Sequence, residues 1–180
     1  MNKVLKLSCL LGVLFLISAT SLEKVELAYL SLLEDKVELK VPTDFSIMSE
    51  EMANTKYPAA NRPTIIYTNE SGSTNVALNF TQNACSQKMI SPYHENFMKT
   101  FKNLYPSAEW KECGVEKVNG KKIGVIEFIV PAVDTEIYNL MFFTDVEDKL
   151  LLCTFNCTKE QMGEWSPIAH EILQSLKVKK

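Results

Sequence analysis

Two histidines, one arginine and six glycines in 180 residues leave little of what catalytic sites are usually made from. Loops that cradle phosphates need clustered glycine, and one of the six lies within the first 21 residues; there is no Walker-type loop and no Gly-x-Ser-x-Gly elbow. The cysteines include no Cys-x-x-Cys pair, and His94 and His170 stand far from them in sequence, so zinc-ligand spacing is missing too. Each histidine precedes a glutamate, but neighbours on a helix point roughly 100° apart and do not make a dyad. Both are therefore expected to be surface residues. No enzyme activity, cofactor or metal is expected from these patterns.

Long apolar runs are scarce as well. The most sustained one, residues 7–17, is far shorter than the roughly 20 residues that cross a bilayer. Lys3 and Lys6 precede it and small residues 18–21 follow, which is the three-part layout of a secretory signal. The expectation is a signal peptide over 1–21, cleaved after Ala19 or Ser21, and an exported chain, periplasmic or secreted, with no membrane span after processing. Cys9 lies inside the apolar run, where lipid attachment would not occur. Without that segment the net charge is about −5, and the basic residues are scattered among acids. Nucleic acid is excluded as a partner on this ground, since it demands a concentrated basic face. The locally basic tail, Lys177, Lys179 and Lys180, reads as a solvated terminus.

What remains is an ordinary globular composition, 46% hydrophobic and 23% charged, enough for one domain over 22–180. Four cysteines follow the signal: Cys85, Cys113, Cys153 and Cys157. On one continuous strand Cys153 and Cys157 would stand about 13 Å apart, beyond the ~7 Å reach of a disulfide. Cross-pairings with Cys85 and Cys113 stay open. Alternation places Leu151, Cys153, Phe155 and Cys157 on one apolar face, which favours free, buried thiols.

Periodicity marks the elements. Residues 27–33 and 37–41 read as an opening hairpin, Ser49 as the cap of a short helix, and 64–68 with 75–81 as a second hairpin. Tyr93, Phe97, Phe101 and Leu104 recur at helical spacing after Ser91-Pro92, read as a cap and first-turn proline, and stop before Pro106. Asn119-Gly120 joins strands 110–118 and 121–130, because both residues tolerate the positive φ of a two-residue turn. Strands 137–144 and 149–157 are apolar on both faces, as strands covered above and below must be. Trp165, Ile168, Ile172 and Leu176 form a closing helix that begins near Ser166-Pro167. The fold class expected is α+β: a mostly antiparallel sheet of about seven or eight strands with helices on both faces.

That order, with the Val-Pro-x-Asp-Phe of residues 41–45, the Val-Asn-Gly-Lys of 118–121 and the Ser-Leu-Lys of 175–177, resembles the PsbP-like superfamily, an α/β/α sandwich that includes bacterial envelope proteins of the DcrB type. The likeness spans nearly all of residues 26–178. It implies a non-catalytic module that acts by binding other proteins, and it names no partner.

Two loops carry residues that the core does not call for. One, 56–63, is stiffened by Pro58 and Pro63 and displays Tyr57 and Arg62; the other, 131–136, carries Asp134 and Glu136. Stiff loops bearing an aromatic and charged groups suit recognition of another protein, here expected to be an envelope protein. Each also has a plainer reading: Tyr57 tucked onto the sheet, Arg62 paired with an acid, Asp134 and Glu136 in a solvated bend. The alternative function is a small-ligand carrier whose cavity is lined by Phe97, Phe101 and strand 137–144.

Overall fold

The computed structural model describes residues 24–57 and 62–179. The expected signal segment, and residues 58–61 of the first candidate loop, lie outside the described residues. The strands of the described residues divide into two sheets. β1 (Leu27–Leu32) and β2 (Val37–Pro42) form the opening hairpin, β3 (Ser46–Ile47) is a two-residue strand, and β4 (Ile65–Thr68) and β5 (Asn75–Ala84) form the second hairpin. β6 (Glu109–Val118), β7 (Lys121–Pro131), β8 (Glu136–Val146) and β9 (Lys149–Thr158) are long and follow one another in hairpins, and β10 (Lys177–Val178) is a two-residue strand after the last helix. Strands β3-β4-β5-β9-β8-β7-β6 make a seven-stranded antiparallel sheet.

The opening hairpin does not extend that sheet, as a single-sheet reading expects. It forms a second sheet, β1-β2-β10. The reason lies in β2, whose alternating Val37, Leu39 and Val41 are buried with Tyr138, Leu140 and Phe142 of β8, so the hairpin lies over the large sheet rather than at its edge. Burying those three side chains contributes several kcal/mol, at about 1.5–3 kcal/mol for each fully buried aliphatic side chain.

Among the described residues three α-helices complete the layers: α1 (Glu50–Lys56), α2 (Ile90–Leu104) and α3 (Met162–Ser175). Alternation along β8 separates the faces. Tyr138, Leu140 and Phe142 share a core with Trp165, Ala169, Ile172 and Leu173 of α3, whereas Met141 and Phe143 pack with Phe97 and Phe101 of α2. On β5, Val76 and Leu78 face α3, and Ala77 turns the other way to meet Met48 and Ala53 at α1. Helices thus cover both faces.

Local signals act mostly as the residue types require. Ser49 Oγ accepts the Met52 N–H at 3.2 Å and caps α1. Asn119 and Gly120, at φ 48° and 87°, make the two-residue turn between β6 and β7; Glu147 and Asp148, at 47° and 58°, make the corresponding turn between β8 and β9. Two helix starts differ from expectation. α2 begins at Ile90 after Met89, with no side-chain cap, because the turn closed by Met89 N–H on the Ser86 carbonyl at 2.8 Å already leads the chain into the helix. α3 begins at Met162, since a 3₁₀ turn at Lys159–Gln161 runs into it, and Pro167 lies inside the helix. All four described cysteines are free, and Cys153 and Cys157 share the α3-side core.

Candidate functional site

Tyr57 is the C-cap residue of α1 and lies half-buried against Met48, Ala53, Ile66 and Ala77, where burial pushes its phenol pKa up. Arg62 reaches back to α1, with Nη1 3.1 Å from Glu50 Oε2 and Nη2 bonded to Asn54 Oδ1. Asp134 is exposed in the β7–β8 connection, and Glu136 Oε2 accepts from Lys159 Nζ at 2.7 Å. Arg62 leads into β4, and β5 and β9 separate that strand from β8. The two loops are therefore separate surfaces, and the described residues show no hydrogen bond or ion pair between them. Between α2 and the sheet, ring meets ring: Phe97 contacts Phe143 of β8 edge-on at 5.1 Å, and Phe101 lies 5.8 Å from Phe128 of β7.

Neither histidine is a free surface residue. His94 Nε2 is 3.1 Å from the Val125 carbonyl, and His170 faces a carboxylate that sequence reasoning passed over. That carboxylate is Glu127. It stands in the middle of the apolar strand β7, on the same face as Ile123, Val125 and Ile129, and is only 7% exposed. A charge removed from water at that depth is costly unless something nearby compensates it.

Three elements converge on Glu127. From β8, the fully buried Tyr138 donates its hydroxyl proton to Glu127 Oε1 at 2.7 Å, and burial holds that phenol well above its ordinary pKa. From α3, His170 Nε2 lies 3.5 Å from Glu127 Oε2. From β6 comes Glu112, placed there by a β-bulge. Trp110 pairs with Phe128 and Cys113 with Ile126, so two residues, 111 and 112, oppose Glu127 alone. Without that extra residue, strict alternation would turn Glu112 toward α2; with it, Trp110 and Cys113 both pack on the α2 side and Glu112 is re-aimed toward α3. One carboxylate oxygen each of Glu112 and Glu127 and one His170 ring nitrogen then lie within 4.8 Å of one another. A hollow of about 330 Å³ adjoins them, lined in part by Glu112, Glu116, His170 and Gln174.

No protein-family model matches the sequence, and neither does any curated protein. Solved structures do. The solution structure of PsbP (CyanoP) from the cyanobacterium Synechocystis sp. PCC 6803 superposes with a TM-score of 0.61 over 91% of this chain and 99% of that one, at 14% identity. This chain has the PsbP-like fold. Two further structures superpose on this chain with a TM-score of 0.51 over 86% of it. One is the Ran-binding protein Mog1p of Saccharomyces cerevisiae, at 8% identity over 96% of its length. The other is a Pseudomonas aeruginosa protein of unknown function, at 10% identity over 98% of its length. Among the described residues no helix is long and apolar enough to cross a membrane.

Proposed function

We propose that this protein is an exported, non-enzymatic accessory module that binds another envelope protein. The observation that carries the reading is the connection between β7 and β8. Ala132 N–H donates to the Thr135 carbonyl at 2.7 Å and closes the connection into a tight turn, and Val133 at its apex is fully exposed beside Asp134. An apolar side chain held out on a closed turn loses little conformational entropy when it docks, which is how a small loop contributes useful binding energy. Support also comes from the shared fold, since one protein that has it, Mog1p, is by its own description Ran-binding. The layout of residues 1–21 supports export.

The test is native mass spectrometry on mature protein recovered gently from the envelope of its own host, after mild crosslinking. A protein-sized mass increment is expected, and Val133→Asp with Asp134→Ala should abolish it while the melting temperature stays unchanged. A bare monomer after crosslinking would overturn the reading. An increment that survives both substitutions would remove this loop from it and direct attention to Arg62.

A further inference from the structure

We propose that Glu112, Glu127 and His170 form a binding site for one zinc ion. The proposal is independent of whether the protein has a protein partner, and it rests on four features of the site.

The first is the donor set. An imidazole nitrogen and two carboxylate oxygens, all within 4.8 Å of one another, are the kinds of ligand that zinc takes at about 2.0–2.2 Å. The nitrogen donor disfavours calcium and magnesium, which prefer oxygen alone. The second is the state of Glu127. Tyr138 satisfies Oε1, but the nearest basic side chain to Oε2 among the described residues is His170, whose Nε2 lies 3.5 Å away, longer than a hydrogen bond. A carboxylate 7% exposed with one oxygen so placed is compensated far better by a divalent cation between it and the imidazole.

The third feature is the division between fixed and movable ligands. Glu127 is fixed in β7 and held by Tyr138, the outer-shell contact that orients a ligating carboxylate. Glu112 is exposed and can swing inward to shorten the spacing. The fourth is room and charge. The adjoining hollow of about 330 Å³ admits water as a fourth ligand, and its charged lining residues include Glu112 and Glu116 but no lysine or arginine. Sequence spacing could not disclose this site, because its ligands come from β6, β7 and α3 and one of them depends on a bulge.

The experiment is isothermal titration of zinc chloride into the full mature chain, without a polyhistidine tag and freed of metal by chelation, with cobalt(II) absorption as a second readout. One ion per chain is expected. Losing a ligand costs at least as much as losing an outer-shell partner, so Glu112→Gln and His170→Gln should each weaken binding about tenfold or more. His94→Gln should bind like the parent, because His94 is engaged with the Val125 carbonyl. Glu112 is exposed, so its variant should fold even if the His170 variant does not, and thermal melting checks this. Absence of stoichiometric uptake, or unchanged affinity in Glu112→Gln, would overturn the proposal.

Discussion

The ring of Phe143 lies directly over Gly124, its register partner on the neighbouring strand, and a Cβ at position 124 would overlap the ring. The glycine is thus needed for space, not for backbone freedom. Phe143 is itself held edge-on by Phe97 of α2, so it cannot step aside cheaply. Gly124→Ala should destabilise the protein by about 1–3 kcal/mol, the usual cost of overpacking. Chemical denaturation checks this, and a smaller loss when Gly124→Ala is made in a Phe143→Leu background would assign the cost to that ring.

Asn119 serves two elements at once. Besides taking positive φ in the β6–β7 turn, it donates from Nδ2 to the carbonyls of Gln174 and Leu176, at 3.0 and 2.9 Å, and so caps the C-terminal end of α3. Asn119→Ala should cost about 1–2 kcal/mol through the lost hydrogen bonds and the positive φ. Asn119→Asp tolerates the same backbone but loses both donors and sets a negative charge against the negative end of the helix. It should melt lower than the alanine variant at low salt, with the gap narrowing as salt is added.

Replacing Glu127 by leucine would leave the buried Tyr138 hydroxyl without its close acceptor, the next nearest being Ser166 Oγ at 3.5 Å. The cost should be about 1–3 kcal/mol. The double variant with Tyr138→Phe should recover part of it, since removing both partners costs less than stranding one. Thermal melts of the two single variants and the double variant measure this.

Burial pushes all four described thiols up: Cys85 to about 11, Cys157 to about 12, and Cys113 and Cys153 in the same direction. A thiol whose pKa is raised by folding stabilises the native state fully below the unfolded value of ~8.5 and loses that contribution as pH rises toward the folded value. Stability should therefore fall from about pH 8.5 to about pH 11, and serine at Cys85 should flatten the slope. In alkylation at pH 8, Cys113, which is only half-buried, should react first, and the other three only as fast as the protein opens.

Much of the fold could be read from residue order, because the signals concerned were local. Asn119-Gly120 marked its turn, the spacing of Tyr93 to Leu104 marked α2, and the two apolar faces of β8 predicted cover on both sides. What could not be read depended on distant partners. Nothing in residues 27–41 distinguishes a hairpin that extends a sheet from one that lies across it, and β10, two residues long, has no periodicity to detect. Leu176 continued the helical spacing but lies just past the end of α3. For the site, Glu127 did leave a trace, a lone carboxylate within Val125-Ile126-Glu127-Phe128-Ile129. Glu112 left none, because its direction is set by a bulge defined only once β6 has paired.

The small sheet has a bearing on how the chain reaches its final form. β2 is paired on one side by β1, close by, and on the other by β10; the nearby bond from Lys40 N–H to Ser175 Oγ joins residues 135 apart in sequence. A chain delivered from its N-terminus exposes Val37, Leu39 and Val41 as soon as the hairpin forms, long before α3 and β10 exist to cover them. Closure of that layer is thus a late, long-range event, and a chain still emerging keeps an adhesive apolar face on display. During that interval a chaperone has something to hold.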